Sequence, residues 1–213
     1  MILEWKYLEG LSVRDISMQL GRTEKAVESA LYRARTAMKR FLTDANGSAD
    51  KLKLAFSLLA TLRGIPQLYY GDEIGMTGGD DPDNRHDFPG GFPGDAHNAF
   101  TQAGRTPQEQ DIYAYVQALL KLRRDHPALR RGAQKHVSVA DKYYAFTREG
   151  DGERLLIVFN NGDAQNIVLD LNDTSIADAK AMTPIFQGAE AHLQGSLLQL
   201  QLAHNSLAIY RVE

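Results

Sequence analysis

Cysteine is absent from the 213 residues, which excludes a disulfide framework, a thiolate nucleophile and any Cys-based zinc site. Long hydrophobic runs are missing as well: no stretch approaches the ~20 apolar residues that span a bilayer. The opening MILEWKYLEG lacks the basic head and apolar run of a secretory signal. These absences make the cytoplasm the default address and give no membrane partner. A hydrophobic content of 43% with 24% charged residues is that of a globular chain, long enough for one large domain or two small ones.

The net charge of −3 is unevenly spread. Through Leu42 there are 8 Lys+Arg against 5 Asp+Glu, and beyond it 16 against 22. A basic segment ahead of an acidic body restricts any nucleic-acid surface to the first part.

In that first part, Gly10 follows Leu3, Trp5, Tyr7 and Leu8 and ends a first helix. Ser12 stands where an N-cap is wanted, with Asp15 three residues on as an approximate capping box. Val13, Ile16 and Leu20 share one helical face. Gly21 supplies a turn and Thr23 caps the next helix. There Val27, Leu31, Ala34 and Met38 step by three or four residues and form a buried stripe, with Arg22, Lys25, Ser29, Arg33 and Arg35 largely off it. Helix, glycine turn and a second helix with a basic outer face is the geometry that enters a major groove. A solvated amphipathic hairpin is the plainer reading of the same pattern.

The words of this segment go further. EGLSVRDISMQLGRTEKAVESALYRARTAMKR resembles region four of extracytoplasmic-function-type bacterial sigma factors, the helix-turn-helix that reads the −35 promoter element. That resemblance implies DNA as a partner through residues 12–40. Arg22, Thr23, Lys25, Ser29 and Arg33, with Arg35 beside them, would face phosphates first and base edges second. The separate sigma region that opens the −10 element and docks on polymerase has no counterpart in these words.

From Phe41 the pattern changes. Leu52, Ala55, Phe56, Leu58, Leu59 and Leu62 make a helix apolar over much of its circumference. Ile65–Tyr70 then reads as a short buried strand with Asp72 and Glu73 at its C-terminal end, the face of a parallel α/β barrel that carries chemistry. A loop rich in Gly, Pro and Asp runs from Gly75 to about Arg105. Thr106-Pro107-Gln108-Glu109 starts a helix with Ile112, Val116, Leu119 and Arg123 on one face, ending before His126-Pro127. Seven acids between Asp72 and Asp95 accompany one arginine, Arg85. Carboxylates on a loop suit calcium, though EF-hand spacing is lacking; a sugar-binding loop and a solvated acidic loop are the other readings.

KLKLAFSLLATLRGIPQLYYGDEIGM followed by DDPDNRHDFPGGFPGD resembles the last barrel strand and loop of the α-amylase family of glycoside hydrolases, within it the cyclomaltodextrinase/neopullulanase-like α-glucan hydrolases. In that group the Asp and Arg of a D-P-D-x-R word contact glucose units, which carries the role to Asp81 and Arg85. The family retains anomeric configuration with a nucleophile and an acid roughly 5–5.5 Å apart, both from earlier barrel strands, and adds a third acid in an N-H-D word ahead of R-F-L. Here Arg40-Phe41-Leu42 is present, but the N-H-D positions read Arg35-Thr36-Ala37. Asp72 and Glu73, as neighbours on a strand, would point to opposite faces and cannot replace the pair. No catalytic residue is therefore assigned, and no cofactor.

The last third alternates. Tyr143–Phe146, Leu155–Phe159, Ile167–Leu169, Leu197–Leu202 and Leu207–Val212 are apolar stretches separated by turns such as Gly150-Asp151-Gly152 and Asn160-Asn161-Gly162, an antiparallel sandwich. His136, His192 and His204 stand singly and read as surface residues.

The expected fold is α+β, with a sigma-type helix-turn-helix over 1–40, the terminal part of a (β/α)8 barrel over 41–133 and a C-terminal β-sandwich over 134–213. The expected function is the C-terminal part of an α-glucan-acting hydrolase, catalytically incomplete by itself, fused to a DNA-binding hairpin. Two alternatives stand beside it: a sigma-like transcription protein, and a piece completed by a partner chain that supplies the earlier barrel strands. An unpaired barrel strand at Ile65–Tyr70 would also favour self-association.

Overall fold

The computed structural model describes residues 12–21, 23–26, 48–78, 86–188 and 190–213. These divide into two compact units, the first holding Leu11–Leu59 and Pro66–Leu122, the second Ala60–Ile65 and Arg123–Glu213.

In the first unit, helix α1 (Val13–Leu20) begins with the capping box anticipated from Ser12 and Asp15. Ser12 Oγ accepts from the Asp15 N–H at 3.0 Å, and the Asp15 carboxylate accepts from the Ser12 N–H at 3.1 Å. Two of the orphan donors at the helix start are thereby satisfied. Gly21 closes the helix in the left-handed conformation, φ 60°, which a glycine adopts without steric cost. Thr23 Oγ1 then accepts from the Ala26 N–H at 3.2 Å, capping a helical turn over 24–26. Thr23 and Lys25 are both exposed. Arg22, Ser29, Arg33 and Arg35 lie outside the described residues, as do the first helix and the stripe Val27, Leu31, Ala34 and Met38.

Helix α2 (Ala49–Thr61) and helix α3 (Pro107–Asp125) are joined across the unit by side chains one polar group at a time. Ser57, buried in α2, shares a 2.7 Å hydrogen bond with the Tyr115 hydroxyl of α3. Lys53 reaches Asp111 at 2.6 Å. No residue of α2 from Leu52 to Thr61 is exposed, as its nearly all-round apolar surface requires. On α3, Ile112, Val116 and Leu119 are buried, the face read from their spacing.

Ile65–Tyr70 is not a strand. The segment enters no ladder, and Ile65 is 88% exposed. A strand needs a neighbour to take its N–H and C=O groups, and among the described residues of this unit there is none; its one β-bridge joins Gly90 to Asn98. The expected barrel strand is thus corrected to an irregular connection leading into a 3-10 turn, Asp72–Ile74.

The second unit is the sandwich. After a short helix α4 (Pro127–Arg131) come β1 (Ala133–Val139), β2 (Tyr143–Gly150), β3 (Glu153–Asn160), β4 (Gln165–Asp170), β5 (Met182–Phe186), β6 (His192–Gln194), β7 (Leu197–Leu202) and β8 (Ser206–Val212). They form a five-stranded sheet in the order β1-β2-β3-β8-β5 and a three-stranded sheet β4-β7-β6, with every pairing antiparallel. Leu198, Leu200 and Leu202 of β7 alternate inward with Ile167 and Leu169 of β4, and meet Leu156, Val158, Ala208 and Tyr210 of the larger sheet in one core. Leu155, Ile157, Leu207 and Ile209 on the other face of β3 and β8 are buried too. Those central strands are therefore covered on both sides, with Ala128 and Leu129 of α4 also fully buried.

Within this unit, two arginines hold the segment Ala60–Ile65, the last residues of α2 and the turn after it. Arg123 donates from Nη1 to the carbonyls of Ala60 (2.8 Å), Leu62 (3.3 Å) and Leu129 (2.7 Å), and from Nη2 to Gly64. Arg148, fully buried, donates to Thr61 O at 2.6 Å and Gly132 O at 3.1 Å. The last carbonyls of a helix have no internal partner and carry its negative dipole end, so guanidinium groups suit them. Burial, with Arg123 and Arg63 nearby, pushes Arg148 down to about 10; it stays charged at neutral pH. His136, His192 and His204 are exposed, as expected of them.

Candidate functional site

The stretch between α2 and α3 holds the residues singled out for chemistry. Asp72 and Glu73 occupy a 3-10 turn and not a strand end, so the opposite-faces expectation does not apply to them. Asp72 accepts the Tyr69 N–H on its side chain at 2.8 Å and returns its own N–H to the Tyr69 carbonyl at 3.0 Å. Its carboxylate is committed to holding a turn. Gly71 ahead of it has φ 84°, a conformation that favours glycine. Asp81 and Arg85 lie outside the described residues.

The loop resumes at His86, whose carbonyl accepts from the Tyr70 hydroxyl at 3.2 Å. From here to Thr106 it is tied at almost every step. Asp95 turns inward and accepts from the N–H groups of Gly90 (2.8 Å) and Phe92 (2.9 Å). The Ala99 N–H donates to Pro89 O at 2.7 Å, and Ala99 is fully buried. Arg105 donates to the carbonyls of Ala99 (2.8 Å) and Phe100 (3.3 Å) and to Gln110 (3.0 Å), with its guanidinium 3.5 Å from the Tyr113 ring centroid.

The loop then enters α3 through the capping box read from the sequence. The Thr106 N–H donates to Glu109 at 2.8 Å, and Thr106 Oγ1 accepts from the Glu109 N–H at 3.3 Å. His97 adds a 3.0 Å contact to the same carboxylate. Burial pulls Glu109 upward, but the hydrogen bonds from Thr106 and His97 outweigh it and leave the carboxyl below its ordinary range.

Of the acids read as a calcium or sugar loop, Asp72 and Asp95 thus serve the backbone. Among the described residues no three His, Asp or Glu side chains cluster as a metal site would require. What the tied loop displays instead is aromatic. Phe92 is 66% and Phe100 63% exposed, and Phe88 stacks on Phe100 with centroids 4.6 Å apart. Sequence reasoning passed over these rings. The signal was there in the doubled word Phe88-Pro89-Gly90 and Phe92-Pro93-Gly94, each led by an aromatic.

The family model for the maltogenic amylase C-terminal domain matches residues 135–209, and that for sigma-70 region 4 matches residues 1–38. A β/α-amylase of Paenibacillus polymyxa is 37% identical over 131 residues, 58% of this chain and 10% of that protein. A cyclomaltodextrinase of Thermoanaerobacter pseudethanolicus is 30% identical over 163 residues, 76% of this chain and 25% of its own length. Among solved structures, the α-amylase of Geobacillus thermoleovorans complexed with acarbose superposes with a TM-score of 0.65 at 25% identity, over 82% of this chain and 36% of that one. The chain therefore spans a tenth to a quarter of the length of these two curated relatives. Residues 41–213 resemble the C-terminal part of α-amylase-family glycoside hydrolases, and residues 1–40 resemble sigma region four.

Proposed function

We propose that residues 41–213 serve as the α-glucan-contacting and structural C-terminal part of a cyclomaltodextrinase/neopullulanase-like hydrolase, with 41–133 as barrel end and 134–213 as sandwich, and that the chain carries no complete catalytic set of its own. The observation that supports this best is the likeness in fold over 82% of the chain, combined with a loop built where the family meets substrate. Asp81 and Arg85 hold glucose units in this reading. The position of the third family carboxylate is Ala37, and the Asp72 carboxylate is engaged by the Tyr69 N–H. The sandwich contributes the Arg148 anchor, beside that of Arg123 from α3, and no reacting group. The absence of cysteine suits a reducing cytoplasm, where we place it; among the described residues no helix is long and apolar enough to cross a membrane.

A reducing-sugar assay with starch, pullulan and cyclodextrin tests this. We expect no turnover above background. Turnover that Asp72→Asn or Glu73→Gln abolishes would overturn the proposal.

A second reading concerns residues 12–40. The Ser12 capping box, the left-handed Gly21 and the Thr23 cap together make a helix, a tight turn and the start of another helix, which is the local geometry a DNA-reading hairpin needs. We propose that this segment contacts duplex DNA through Arg22, Thr23, Lys25, Ser29, Arg33 and Arg35.

A further inference from the structure

We propose that Phe92 and Phe100 form a stacking platform for the pyranose rings of an α-glucan, a binding subsite distinct from Asp81 and Arg85. The inference rests on the α-glucan reading above and adds the residues that would hold the chain beyond that pair.

The rings converge on one point of the backbone. A methyl group added at Gly90 would stand 2.5 Å from the Phe92 ring and 2.8 Å from that of Phe100. Only glycine lets both rings close over this position. Phe88 backs Phe100 as a stacked partner, which fixes the plane of that ring. The Asp95 bonds to Gly90 and Phe92, the Gly90–Asn98 bridge and the Arg105 bonds to Ala99 and Phe100 hold the loop beneath. Two large apolar rings are thus kept in water by a backbone that is tied down around them. Ordinary solvation would instead fold such rings inward, and preorganised exposed aromatics suit ligand contact.

The occupant follows from charge and shape. Asp95 and Arg105 are turned to backbone groups, so the two rings offer flat apolar faces, with Asp87 the exposed charge of the described loop. An aromatic face is electron-rich and attracts the polarised C–H groups on one face of a sugar ring. A neutral ligand with apolar faces and hydroxyl edges fits, and the platform follows directly in sequence on the segment assigned to glucose contact.

Calorimetric titration of the full chain with maltoheptaose, cellohexaose and zwitterionic phosphatidylcholine vesicles tests this. We expect maltoheptaose to bind. Phe92→Leu/Phe100→Leu, which keeps apolar volume but removes both flat faces, should weaken it by about tenfold. Gly90→Ala, which splays the rings without removing either, should weaken it in the same direction, and Phe92→Trp should retain it. Maltoheptaose binding that all these variants leave unchanged would overturn the platform while leaving the α-glucan reading intact. Ring-dependent binding of cellohexaose equal to that of maltoheptaose would sustain the platform and sink α-glucan selectivity. Ring-dependent binding of vesicles alone, or no saccharide binding at all, would overturn both.

Discussion

Arg148 on β2 donates to the carbonyl of Thr61, 87 residues earlier, at 2.6 Å in a fully buried setting. The charge is held by helix-end and loop carbonyls, those of Thr61 and Gly132. Arg123 repeats the device on Ala60, Leu62 and Gly64. The turn after α2 is therefore fastened by two guanidinium groups supplied from α3 and from the sandwich. Removing one leaves buried carbonyls unpaired, which costs about 1–3 kcal/mol per group. We expect Arg148→Met to lower the unfolding free energy by at least that amount. Arg148→Lys should recover part of the loss, because an ammonium can serve one carbonyl but not the fork. Urea denaturation followed by circular dichroism reads both, and a neutral Arg148→Met would show that the anchor is dispensable.

Acid should weaken the sandwich through Glu149. Burial raises this carboxyl, but hydrogen bonds from Ser175, Thr147 and Lys135 outweigh it and leave it below its ordinary value of 4.5. A carboxylate depressed in the folded state stabilises above the unfolded value, and that contribution is lost as pH falls through the lower, folded value. We expect Glu149→Gln to melt below the unaltered chain at pH 7, with the gap closing as pH drops below about 4.5. A gap that stays constant down to pH 3 would mean the bonds to Glu149 carry no linked protonation.

The sandwich interior was legible in sequence, and the reason is visible in particular strands. β7 alternates buried and exposed along Leu197–Leu202, and β3 is a continuous apolar run because both its faces are covered. The strands that escaped, β1, β5 and β6, all lie at sheet edges. Edge strands bury less, so the hydrophobic pattern fades: β1 reads Ala-Gln-Lys-His-Val-Ser-Val, and β5 contains Pro184, which an edge tolerates and a central strand does not. The opposite error arose at Ile65–Tyr70, where apolar residues signalled a strand but no neighbouring strand takes up the backbone groups. At the site, the cap at Thr106 and Glu109 was readable because it is local. The inward turn of Asp95 and the exposure of Phe92 and Phe100 were not, because both depend on how residues 89–105 fold back on themselves.

Self-association should follow from the 65–70 segment by a different route from strand pairing. Ile65 is 88%, Tyr69 49% and Tyr70 44% exposed, three large apolar side chains left in water within six residues of sequence. We expect concentration-dependent oligomers in light scattering, reduced by Ile65→Lys with Tyr69→Ser. Unchanged oligomers in that variant would place the contact elsewhere, and a monodisperse monomer at every concentration would remove it.

DNA binding by residues 12–40 should be weak and steeply reduced by salt, because phosphate neutralisation by Arg22, Lys25, Arg33 and Arg35 supplies most of it. Four phosphate-contacting charges give a log–log salt slope of roughly −3 to −4. The 22 acids against 16 bases beyond Leu42 repel a duplex approaching that part of the chain, which favours contact through the basic segment. Arg33→Ala with Arg35→Ala should lower affinity for all sequences alike and flatten the slope by about two units. Thr23→Ala separates helix formation from charge: it removes the cap on Ala26 at a cost of about 1 kcal/mol, and should weaken binding without changing the slope. Fluorescence anisotropy of a labelled duplex at several salt concentrations measures each of these. A duplex that stays unbound at low salt would end the DNA assignment and leave the segment a solvated hairpin.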